Sequence, residues 1–168
     1  MPEDATVDLV LSLRESKEFT THTIATGLLG HQIATHLSGG RKDAAVKLAN
    51  KLKAEFRTET ELAERALLLT AIGAGGLPET LPFVRRFVGA KESEMRVAAA
   101  KGLNLDSSTK GAKLLLRLVV DPAPDVQAAA IESLHYHPLT AAQQRTFHAA
   151  IMSDRIRPPN DGVLVHVI

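Results

Sequence analysis

A ruler of thirty-one residues constrains this chain more than any other feature. The stretch "EMRVAAAKGLNLDS", from Glu94, returns thirty-one residues later as "DVQAAAIESLHYHP", from Asp125. The same offset upstream brings in a third segment, so that Arg65, Arg96 and Gln127 coincide. So do Leu69, Ala100 and Ile131, and Ile72, Leu103 and Leu134. Self-similarity at a period of this size marks a supersecondary unit that cannot bury its apolar face alone and finds the missing partner in its neighbours. Within each segment apolar residues recur three and four apart, as in Leu68, Leu69, Ile72 or Val97, Ala100, Leu103. That spacing is one face of an α-helix.

The partner helices obey the same offset. Leu81, Val84 and Val88 fall on Ala112, Leu115 and Val119, and all six are expected to face inward. Gly73, Gly75 and Gly76 end one helix, Pro78 suits the first turn of the next, and Ser107 or Ser108 caps another. "DPAPD" at 121–125 separates two pairs, because proline disfavours helix in the residue before it, and Asp125 is expected to cap the helix that follows. The third pair is looser: its second helix, near 140–153, sets Ala149 and Ala150 opposite Leu118 and Val119 but Thr146 opposite Leu115. Upstream, helices are expected at about 4–15, 20–37 and 41–57, the last with Ala45, Leu48, Leu52 and Phe56 on one stripe. With aromatics at only 4% and no Trp, sheet is disfavoured, since strands enrich aromatic and β-branched residues.

The expectation is therefore an all-α chain, a right-handed α-solenoid of antiparallel helix pairs with a period of about thirty-one residues. One domain spans 1–154, with its clearest repeats at 60–90, 91–121 and 122–154, and an irregular tail follows at 155–168. The apolar end of that tail points to a cut or docked terminus.

Met95-Arg96-Val97-Ala98-Ala99-Ala100 and, with glutamine for arginine, Asp125-Val126-Gln127-Ala128-Ala129 resemble the first helix of HEAT repeats over roughly residues 60–153. This resemblance implies a protein-interaction or scaffolding module without catalysis, whose second helices line the concave surface. "ALLLTAIGAGGLPETLPFVRRFV", residues 66–88, is similar to a Gly-rich turn in the helical domain of vitellogenin-type large lipid transfer proteins. It departs from that pattern at Ala74 and Gly75. That likeness implies a helical support beside a lipid cavity built elsewhere, so lipid enters only if the chain belongs to a larger lipid-transfer protein.

Chemistry is sparse. Cysteine is absent, which excludes disulfides and thiolate sites and leans toward a cytoplasmic location. Neither a secretory leader nor an apolar run long enough to span a membrane is visible. A net charge of +1 gives no overall attraction to nucleic acid, which makes a nucleic-acid binder the lesser reading. His31 and His36, five apart, stand about 140° from each other around a helix and do not share a metal ion. His135 and His137 are expected to bond free carbonyls at a helix end. Ser133 and His135 lie on different faces, Glu59, Glu61 and Glu64 suit a helix dipole, and no cofactor or metal site emerges.

Arg65 and Arg96 are assigned to pairing with neighbouring acids such as Glu64 or Glu94. One polar pattern keeps the ruler and points away from the core: Arg86, Arg117 and His148. Stacked on the second-helix face, they are the candidate binding residues for an extended or acidic protein partner.

Overall fold

Each stretch that the apolar spacing marks as helical is helical in the computed structural model, which describes residues 2–153 and 156. Of the expected irregular tail, only Ile156 lies within the described residues, and it packs against the core. The helices are α1 (Pro2–Arg14), α2 (Phe19–Ser38), α3 (Lys42–Thr58), α4 (Leu62–Ala74), α5 (Leu81–Arg85), α6 (Ser93–Gly102), α7 (Thr109–Leu118), α8 (Pro124–Leu134) and α9 (Ala141–Ile151). A 3-10 turn at Arg86–Gly89 prolongs α5. No strand occurs among the described residues. Helices α2, α4, α6 and α8 pack side by side in chain order as one layer. Helices α3, α5 with its 3-10 turn, α7 and α9 form the second layer, and α1 closes the N-terminal end against α2. The chain is an α-solenoid.

The inward stripes are those the ruler aligns. Leu81, Val84, Val88, Ala112, Leu115 and Val119 are all buried, as are Leu69, Ala100, Ile131 and Ile72, Leu103, Leu134. What sets the distance between first helices is smaller. A Cβ on Gly73 of α4 would overlap the backbone of Gly102 in α6, and one on Gly30 of α2 would come within 2.7 Å of the Ala71 carbonyl oxygen in α4. Ala71 and Gly102 occupy one register position, which Ser133, also buried, fills in α8. Small residues at that position let one helix backbone lie against the next.

At the N-terminal end a polar cluster does the joining. Arg14, closing α1, donates to Glu55 of α3, to Glu64 of α4 at 2.9 Å and to Thr26 of α2 at 3.1 Å. Burial works against its charge, but the bonds to Glu55 and Glu64 outweigh that and hold its pKa above the ordinary arginine value. The His22 ring lies between Glu64, at 2.7 Å, and the Arg14 carbonyl.

Four local expectations need correction. The second helix after Gly76 starts late: Thr80 turns back onto Leu77 through its N–H and its hydroxyl, so Pro78 sits in a turn and Pro82 occupies the first helical turn. That helix is also short. It tightens to 3-10 winding at Arg86, and Phe83 and Phe87 close edge-to-face on Phe56 of α3, with centroids 5.2 Å from it. Asp125 does not cap α8, because Pro124 starts the helix and Ala123 takes the cap position; Ser108, by contrast, caps α7 through the N–H of Gly111. In α9 the inward stripe has rotated by one residue. Phe147 is buried while Thr146 and Ala149 are exposed, and Thr140 with Gln143 forms a reciprocal cap that fixes this rotation.

Gly73→Ala is expected to lower unfolding free energy by about 3 kcal/mol, since the new methyl meets backbone rather than a yielding side chain. Gly27→Ala, in an exposed part of α2 with open space for the methyl, is expected to raise it by about 0.5–1 kcal/mol. Urea denaturation of the two variants checks both signs.

Candidate functional site

Charge is distributed unevenly between the layers. From Leu81 to Gly89, through α7 and through α9, the second layer contains no carboxylate. It carries Arg85, Arg86, Lys110, Lys113, Arg117 and Arg145. Among the described residues only Arg85 is committed: it makes a two-pronged contact with the buried carboxylate of Asp106, both bonds 2.8 Å, and donates to Ser108. The other five are exposed. A net charge of +1 thus hides a strongly basic second layer, balanced mainly by acids of α1 and the loops.

Arg86 stands on the 3-10 turn, Arg117 in the last turn of α7 and His148 in the last turn of α9. All three side chains are exposed, and none has a hydrogen-bond or ion-pair partner among the described residues. Arg117 borders a hollow of about 430 Å³ together with Lys91. Arg96 and Asp121 also line that hollow.

Arg96 does not pair with Glu94. Its Nε and Nη2 donate to the two carboxylate oxygens of Asp121, each at 2.8 Å, while Nη1 donates to the carbonyls of Ala90 and Lys91 at 3.0 and 2.9 Å. One guanidinium therefore ties both loops that flank a repeat. The Asp121 hydrogen bond, against the cost of burial, raises the Arg96 pKa above its usual value. Asp121 also accepts the N–H of Ala123 at 2.9 Å, and Gln127, the register mate of Arg96, donates to the Asp121 carbonyl at 2.7 Å. Arg65, the third mate, has no such acid to reach, because the position matching Asp121 is Ala90. Its guanidinium lies 4.8 Å over the Phe56 ring instead, and Glu64 is taken by Arg14 and His22.

The histidines separate. His31 is exposed and His36 buried on α2, so they meet no common ligand. His137 is buried and donates from Nε2 to the Leu103 carbonyl at 3.0 Å, which closes the end of α6 rather than of its own helix. His135 is exposed, edge-on to Tyr136. Ser133 is buried and His135 exposed, and no hydrogen bond joins the two side chains among the described residues. Glu59 accepts the N–H groups of Glu61 and Thr60, which lowers its pKa, and Glu61 takes the cap position of α4. No group of three His, Asp or Glu among the described residues is placed to hold a metal ion. No helix among them is long and apolar enough to cross a membrane.

A family model for HEAT repeats matches residues 49–135, from within α3 through α8. No curated protein and no solved structure matches the chain.

Asp121→Ala is expected to cost about 3 kcal/mol, because it leaves the Arg96 guanidinium largely buried without its acid and frees the loop before α8. Arg86→Ala, at an exposed position without a partner, is expected to change stability by less than about 0.5 kcal/mol. Chemical denaturation of the pair tests whether the charges that pair within the fold and those left over are the ones identified.

Proposed function

The chain belongs to the HEAT-repeat family, and from that premise we propose that it is a non-catalytic interaction or scaffolding module that takes an extended acidic segment of a partner protein on its second-helix layer. One observation carries the reading: the second helices from Leu81 onward hold exposed cations without a partner among the described residues, and not one carboxylate. Arg86, Arg117 and His148 are the proposed contact residues. All three are exposed on the second-helix layer, one in each successive repeat, so an extended chain crossing the layer meets them in succession. Arginine suits this work because its planar fork grips a carboxylate or phosphate with two hydrogen bonds. Single exposed ion pairs contribute only about 0.2–1 kcal/mol, so binding rests on several contacts made at once and weakens with salt.

A fluorescent oligoglutamate peptide titrated by anisotropy provides the test. Arg86→Glu combined with Arg117→Glu is expected to weaken binding at least tenfold while thermal stability stays nearly unchanged, and raising ionic strength is expected to weaken the parent protein too. Equal binding by the double variant would remove the assignment of these residues. A DNA duplex held much more tightly than the acidic peptide would replace the protein partner with nucleic acid.

A further inference from the structure

The first-helix layer carries a feature of the opposite character. A groove of about 490 Å³ crosses α4, α6 and α8 and is lined by residues of these three helices alone. Its lining repeats the ruler without exception. Ala63, Glu94 and Asp125 form one edge, and Thr70, Lys101 and Glu132 the other. The floor between them is alanine apart from Leu67 and Val97. The groove is thus one surface strip presented three times, and not an accident of one loop.

Its charge is acidic and uncommitted. Glu94, Asp125 and Glu132 are exposed, and none makes an ion pair among the described residues. The cations that start the same helices are spent elsewhere, Arg96 on Asp121 and Arg65 over Phe56. Lys101 alone stands against the three acids. Glu94 and Asp125 lie in first turns, where the helix dipole favours an acid and explains their presence. Glu132 lies in the last turn of α8, where the dipole disfavours one. Helix stability does not account for it.

The dimensions choose the occupant. Seven residues separate the two edges along each helix, a width of about 10 Å, and three helices at about 8–10 Å spacing give a run approaching 20 Å. An α-helix is about 10–12 Å across, and about 13 of its residues span 20 Å. An extended strand would find no backbone partners here, because the N–H and C=O groups of the flanking helices are already paired, whereas a helix satisfies its own. We propose that this groove seats a basic amphipathic helix of a partner protein, with its apolar stripe on the alanine floor and its Lys or Arg side chains against Glu94, Asp125 and Glu132. This site is separate from the second-helix layer and opposite in charge, so either can fail without the other.

The probe is a synthetic helical peptide of about 15 residues with leucine on one stripe and lysine elsewhere, compared with a counterpart in which glutamate replaces every lysine. Amide shift mapping on the full chain is expected to place the basic peptide on α4, α6 and α8. Glu94→Lys with Asp125→Lys is expected to weaken it at least tenfold, Val97→Asp at the centre of the floor to do the same, and Arg86→Glu with Arg117→Glu to leave it unchanged. Thermal melts of each variant establish that the fold is intact, and the exposed charge reversal decides the matter alone if Val97→Asp does not fold. Undiminished binding by the charge-reversed pair, equal binding of the glutamate peptide, or shifts centred on α7 and α9 would overturn the proposal.

Discussion

The near-contact of Gly73 and Gly102 is the constraint on which the rest of the solenoid depends. Two helix backbones meet there with no side chain between them, and Gly30 against Ala71 repeats the arrangement one helix earlier. Such an approach draws the first helices into a dense layer in which many of the buried residues of α6 and α8 are alanine. The larger apolar residues are then free to point across to the second layer, where Leu115, Val84 and the Phe56, Phe83, Phe87 cluster lie. Layer spacing and core composition follow from one small position in each repeat.

Polar chemistry does a different task, which is to hold the loops. Arg85 with Asp106 and Arg96 with Asp121 each bind a helix to a loop beyond the next turn of the chain, by paired bonds that leave no donor facing the interior unmet. His137 holds the end of α6 by a single bond to the Leu103 carbonyl. At the N-terminal end, where the ruler has no counterpart, Arg14 gathers three helices into one cluster instead. Once these charges are subtracted, what remains exposed divides by layer: cations without acids on the second helices from Leu81 onward, and acids with one lysine along the groove of α4, α6 and α8. This division underlies both proposed binding faces in a chain of near-zero net charge.

Much of the fold was legible. The six inward positions of the second helices are buried as the offset demands, and Ser108 caps where a serine should. In α9 the sequence did hold the missing signal, since Phe147 is the one large apolar residue of that helix's middle and Thr140-x-x-Gln143 marks its start. The charge division was legible as well, had acids and bases been weighed helix by helix rather than over the whole chain. The partner of Arg96 was not. Glu94 is near in sequence, whereas Asp121 is twenty-five residues away and becomes a neighbour only when two helices have folded back. The groove was hidden for a related reason: its positions obey the ruler, but the ruler does not say that the strip between Ala63 and Thr70 and its register mates is left uncovered as a hollow.

By itself, the sequence determined the period, the helices and their buried stripes, because these depend on spacings of three and four residues that any helix converts into a face. Tertiary structure alone decided which charges are consumed within the fold and which stay exposed. Pairing depends on distance in space, and the stacking of Gly73 on Gly102 brings distant residues together while it turns identical register positions into a continuous surface.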